Sequence, residues 1–101
     1  SSRMIVSRVK AHLQITLDIS DENRPAAAKV YNDYRKPFLD TIEGAVSKNL
    51  LIRTEDVQVL HGFDSVEHAQ NYLQSDTSKN DVFVGLQPLW KQDPDVRIYS
   101  L

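Results

Sequence analysis

Cysteine is missing altogether from this 101-residue chain, which excludes disulfides, thiolate nucleophiles and thiolate-held metals together. Nothing in it calls for an oxidising compartment, so a cytoplasmic location is expected. Charge of one sign is scarce as well: 12 Lys and Arg against 14 Asp and Glu leave a formal charge of -2. That gives no basic stripe of the kind phosphate binding needs, and nucleic acid is not an expected partner. The three glycines, Gly44, Gly62 and Gly85, stand too far apart to cradle a phosphate. Apolar runs are short and broken by charge, with no signal-peptide core and nothing near the roughly 20 apolar residues of a membrane span, so no membrane partner is expected. His12, His61 and His68 fall on separate predicted elements without HxH or HExxH spacing, so no metal site is expected. No Ser-His-Asp order with a nucleophile elbow appears.

What is present is periodicity. Ile5, Val9, Ala11, Leu13, Ile15 and Leu17 alternate with Arg8, Lys10, His12, Gln14 and Thr16, the pattern of a half-buried strand. Pro25 suits the first turn of a helix, where a missing N–H costs nothing. From there Ala26, Ala27, Val30, Tyr31, Tyr34, Phe38 and Ile42 recur at helical spacing. Pro37 lacks the N–H that would bond the carbonyl of Asp33, so a kink is expected near it, with a helical turn resuming toward Asp40.

Glu43-Gly44 marks the exit from that helix, and residues 45–53 read as a strand whose apolar weight rises toward Leu50, Leu51 and Ile52. Thr54-Glu55-Asp56 then makes a connection short enough to force an antiparallel pair. In the second strand of the pair Val57, Val59, His61 and Phe63 alternate with Gln58, Leu60 and Gly62. The period switches to helical at Asp64 or Ser65, either of which can cap the new helix, and Asp64 with Glu67 forms a capping-box pattern. Val66, Ala69 and Leu73 set that helix's apolar stripe. A second helical piece carries Val82, Phe83, Leu86, Leu89 and Trp90, and residues 96–101 read as a last strand.

The order β-α-β-β-α-β, with the second helix in two pieces, predicts an α+β ferredoxin-like fold with one antiparallel four-stranded sheet. A chain of this length is expected to form one domain over residues 1–101. Helices cover only one sheet face, so the other is expected to meet a second copy of the chain in a two-fold homodimer.

Three runs carry a resemblance to a known family: T-I-E-G at Thr41 to Gly44, V-Q-V-L-H-G-F-D-S ending at Ser65, and N-Y-L-Q-S-D-T-S-K from Asn71 to Lys79. They resemble the antibiotic biosynthesis monooxygenase superfamily. The resemblance implies a dimeric α/β barrel and an activity of the cofactor-independent monooxygenase kind, with no cofactor, on a small aromatic or quinol-type substrate. A non-catalytic small-molecule-binding or stress-associated dimer is the other reading that the fold allows. The chain departs from the family pattern at Ser78, where an aromatic is usual, and at Tyr72, where haem-degrading members carry tryptophan. Val82 falls where those members place the histidine that ligates haem iron, so haem is not the expected substrate.

His61 is the expected catalytic group, a base near neutral pH that would orient or deprotonate a phenol; the competing account is a hydrogen-bonded histidine packed in the sheet. Tyr72, Trp90, Tyr34, Phe83 and Asn49 are the expected substrate-binding residues of a pocket between sheet and helices. Plain core packing is the alternative for the aromatic residues. Ser47 shares the strand of Asn49, and parity alone does not say which of its neighbours face inward. His12 is expected in a polar row with Gln14 and Thr16, and His68 on the solvated side of its helix.

Overall fold

A computed structural model describes residues 8–76, 78–79 and 83–101; Ile5, Thr77 and Val82 therefore lie outside the described residues. The strand β1 (Ala11–Leu17) leads through a short 3-10 turn into the helix α1 (Arg24–Thr41). Next come β2 (Ala45–Ile52), β3 (Val57–Phe63), the helices α2 (Val66–Leu73) and α3 (Phe83–Leu86), and β4 (Asp95–Ser100). The four strands form one sheet in the order β2-β3-β1-β4, every neighbouring pair antiparallel. This is the ferredoxin-like α+β arrangement that the element order predicts, with its second helix in two pieces.

Alternation along β1 decides which side chains meet the helices. Ala11, Leu13, Ile15 and Leu17 are buried. Register places Leu13 opposite His61, Ile15 opposite Val59 and Leu17 opposite Val57, so these β3 residues share the helix-covered face. Phe38 of α1, Ala69 and Tyr72 of α2, and Leu86 of α3 close the core from above. The opposite face carries His12, Gln14 and Thr16 of β1, paired with Tyr99, Arg97 and Asp95 of β4. Its β3 and β2 rows bring Gln58, Leu60 and Asn49 alongside. Leu60, Leu51, Tyr99 and Leu101 stand on this open face among polar residues.

Two local expectations change, those for the cap of α2 and for Trp90. The helix α1 runs without a break through Pro37 to Thr41; the proline withholds one backbone donor, while the Thr41 hydroxyl donates to the Pro37 carbonyl at 2.6 Å and Phe38 anchors the turn in the core. Ser65 is the cap of α2, accepting from the His68 amide at 3.1 Å. Asp64 is instead drawn to the His68 ring at 2.5 Å, so the expected capping box does not form. Trp90 is not on a helix face, because the backbone extends after Leu89 and Trp90 bridges Ile19 in antiparallel fashion. At the start of α1, Arg24 donates to the carbonyls of Arg53 and Thr54 at 2.7 and 2.9 Å, fixing the helix to the β2–β3 turn.

Candidate active site

The site begins with the parity of β2. Lys48 pairs with His61 and Leu50 with Val59 in the ladder, which turns both side chains toward the helices. Asn49 pairs with Leu60 on the open face and is exposed. The expectation that Asn49 lines the inner pocket is thus corrected: its neighbour Lys48 takes that place. The run Leu50-Leu51-Ile52 hid this, since three successive apolar residues erase the period-two signal.

Between the sheet and α1 lies a cavity of about 20 Å³, space for roughly one water. The strands contribute Ile15, Leu17, Leu50, Val57 and Val59 to its floor, and Val30, Tyr31, Phe83 and Leu86 form its roof. Lys48 and His61 are the two ionisable nitrogen groups in this otherwise apolar wall. Half-buried Val30, Tyr31, Leu50 and Phe83 put one side of the cavity next to solvent, along the seam between α1 and α3.

Lys48 is 1% exposed and its Nζ has no hydrogen-bond partner. Two aromatic faces stand in for one: Nζ lies 5.3 Å from the Phe38 ring centre and 5.7 Å from that of Tyr31. Burial pushes its pKa down to about 8, helped by the positive charge of Arg35. The backbone carbonyl of Lys48 is held from α1, accepting from the Tyr31 hydroxyl at 2.8 Å and from Arg35 Nε at 3.3 Å. The helix thus fixes the strand residue whose side chain passes beneath it.

His61 is equally buried and makes a 3.2 Å hydrogen bond from Nδ1 to the Leu13 carbonyl. A carbonyl only accepts, so Nδ1 carries the proton and the neutral ring keeps a lone pair on Nε2. Burial, with the Lys48 charge adding to it, lowers the His61 pKa to about 3. Around it Phe38 packs edge-on at 5.1 Å and Tyr72 lies tilted at 5.5 Å between ring centres. His61 is therefore a fixed acceptor at neutral pH, and the near-neutral titration expected of it does not occur.

The other sequence-predicted residues divide. Phe83 lines the cavity. Tyr72 sits 3% exposed in the aromatic cluster behind His61, 5.0 Å from Phe38, with burial raising its pKa to about 12. Tyr34 is half-buried against the core, and Trp90 meets Phe83 edge-on at 6.1 Å, outside the lining. Tyr31, from the apolar face of α1, is the tyrosine at the cavity. On the far face, His12 Nδ1 is sheltered without a partner. At the end of the sheet His68 stays in reach of solvent, as expected, between Asp64 at 2.5 Å and Glu43 at 3.5 Å. Among the described residues no three His, Cys, Asp or Glu side chains are grouped so as to hold a metal ion, and no helix is long and apolar enough to cross a membrane.

The sequence matches no protein-family model and none of the curated proteins. Its structure is similar to that of a conserved protein from Methanosarcina mazei Go1, at a TM-score of 0.78 and 14% identity over 92% of this chain and 93% of that one. A candidate antibiotic biosynthesis monooxygenase of Caulobacter crescentus CB15 gives 0.78 and 14%, covering 92% and 90%. Another from Deinococcus radiodurans gives 0.76 and 12%, covering 90% and 91%. The fold is that of antibiotic biosynthesis monooxygenase-like proteins, and the resemblance carried by the three sequence runs holds at the level of fold.

Proposed function

We propose that this chain is a cofactor-independent monooxygenase-like enzyme acting on a small aromatic or quinol-type substrate, with Lys48 and His61 as the polar groups of its site. The observation that carries the reading is Lys48: an ammonium without a carboxylate, kept in an apolar cavity at a cost to stability. A phenolate is the partner that would relieve it. Its negative charge neutralises the ammonium where low dielectric makes the pair strong, and the paired substrate is the electron-rich form that oxygen attacks. His61 Nε2 receives a second hydroxyl and sets the ring's orientation. In such chemistry the quinol supplies the electrons: one oxygen atom enters the ring and the other leaves as water.

The cavity holds about one water, so a ring enters only if α3 moves off α1, carrying Phe83 and Leu86 outward. That size, with His61 locked among Phe38, Phe63 and Tyr72, favours the second reading, a non-catalytic small-molecule-binding dimer. In either reading the chain forms one domain, acts in the cytoplasm and pairs with a second copy across the open sheet face. Complementary polar rows, Gln14 and Arg97 among them, would make that interface.

The test uses 1-naphthol and a naphthohydroquinone. Naphtholate absorbance should appear on mixing 1-naphthol with the protein at a pH where free naphthol is neutral, and Lys48→Met should abolish it; the hydroquinone should drive oxygen uptake above its uncatalysed rate. Binding without oxygen uptake leaves the non-catalytic reading. Absence of the naphtholate band in the wild-type protein overturns the site.

A further inference from the structure

We propose that Lys48 is also a carbonyl-capture site: its buried amine condenses with small aldehydes that enter the cavity beneath α1, forming a Schiff base. The inference stands apart from oxygen chemistry and needs no aromatic substrate. It starts from the placement of Lys48 Nζ, sheltered, without a hydrogen-bond partner, and walled by Leu50, Tyr31 and Phe38. An amine in such surroundings gives up its proton more readily, and its pKa of about 8 against 10.5 for a free lysine follows. Near pH 7.5 it is unprotonated on the order of a hundredfold more often than a solvated lysine. The unprotonated amine is the nucleophile.

The product suits the cavity better than the reactant does. The nitrogen lone pair forms a bond to the carbonyl carbon, and the displaced N–H proton goes to the carbonyl oxygen, giving a carbinolamine. The carbon–oxygen bond then breaks, oxygen leaves as water with the second N–H proton, and a neutral C=N bond remains. Counted from the ammonium, whose proton is first released to solvent, a buried charge has been exchanged for an uncharged group. His61, directly opposite Lys48 in the ladder, offers its Nε2 lone pair to the carbinolamine hydroxyl. A cavity of about 20 Å³ favours the smallest aldehydes over aromatic ones.

Lys29 and Lys36 supply an internal control. Both are exposed and paired with Asp33 and Asp40 at 2.8 and 2.7 Å, and these hydrogen bonds and charges raise their pKa values. Incubating the full chain with acetaldehyde and cyanoborohydride at pH 7.5 traps imines as N-ethyl lysine, and peptide mass spectrometry reads each site. Lys48 should be ethylated at least about tenfold faster than Lys29 or Lys36. The preference should disappear in urea, where every lysine is solvated, and benzaldehyde should not reproduce it. Lys48→Arg should remove this adduct while leaving the circular dichroism of the folded chain unchanged. Ethylation of Lys48 at a rate equal to or below that of Lys29 and Lys36 in the folded protein overturns the proposal, whatever the naphthol experiment shows.

Discussion

His61 and His68 flank the same strand-to-helix turn, one on β3 and one on α2, yet the structure moves their proton affinities in opposite directions. At His61, burial removes water, the Lys48 cation adds its charge, and the pKa falls to about 3. At His68 the Asp64 carboxylate accepts a hydrogen bond, Glu43 and Glu67 add negative charge, and the pKa rises. Residue type is the same in both places. The difference lies in whether a carboxylate or a hydrocarbon wall faces the ring. Lys48 belongs with His61, since both keep a basic nitrogen where its charged form is disfavoured, and such groups in a cleft are candidates for chemistry. The His68 cluster has its charges paired at the surface, where they hold two connections together.

The largest test of this contrast is Lys48→Met. In the native chain the lowered pKa means that folding favours the neutral amine. Wild-type stability should therefore be lowest below pH 8 and rise between pH 8 and 10.5 as the unfolded state alone keeps the proton. Methionine keeps the volume without the charge, so thermal unfolding at pH 7 should show a gain of about 2–3 kcal/mol, and the rise above pH 8 should vanish. A loss of stability at pH 7 would sink the view that Lys48 is an uncompensated cation.

Next in size is the acid response of His61. Below pH 6.5 the unfolded chain takes up a proton that the native ring refuses, so the native state should lose about 2 kcal/mol between pH 6.5 and 5 from this group. His61→Gln, whose amide can still donate to the Leu13 carbonyl, should flatten that slope in denaturant titrations at the two pH values. An unchanged slope would mean that His61 is reached by water.

Gly44 links the two regions by backbone, because its φ of +82° disfavours any side chain. A Cβ there would run into His68 Nδ1 and Asp64 Oδ1. Gly44→Ala should cost about 1–2 kcal/mol and free His68 from Asp64, visible as a downward shift of the His68 titration by NMR. Retention of the raised pKa in the alanine variant would show that the pair does not depend on this turn. The smallest effect belongs to His68→Gln. A histidine whose folded pKa is raised contributes stability below its unfolded pKa and loses it as pH rises through the folded one. The variant should be weaker than wild type at pH 5 and indistinguishable at pH 9; a deficit at both would point to packing instead of charge.

The element order was legible because alternation in residues 11–17 and 57–63 and the helical spacing after Pro25 are local signals that tertiary packing reinforced. The candidate site was half legible. His61 announced itself as a titratable residue on an apolar strand face, and Phe83 as an aromatic beside Leu86. Lys48 did not, because a lysine between Ser47 and Asn49 looks like a solvated strand residue and the apolar run after it blurs parity. Trp90 misled for the opposite reason: its spacing from Phe83 and Leu86 is helical, but Pro88 ends the helix and the chain extends to meet Ile19.

The sequence by itself thus determined the strands, the helices and the ferredoxin-like order, since each depends on period, caps and turns within a few residues. Tertiary structure alone decided which face of β2 turned inward, and with it that Lys48 rather than Asn49 stands in the cavity. It also decided that His61 is a fixed acceptor, while Glu43 from beyond the turn adds to the local Asp64 in raising the pKa of His68. Proton affinity is set by what surrounds a group in space: for His61 that is burial beneath α1 beside Lys48 of β2, brought from other elements of the chain, and for His68 it is first Asp64, four residues away.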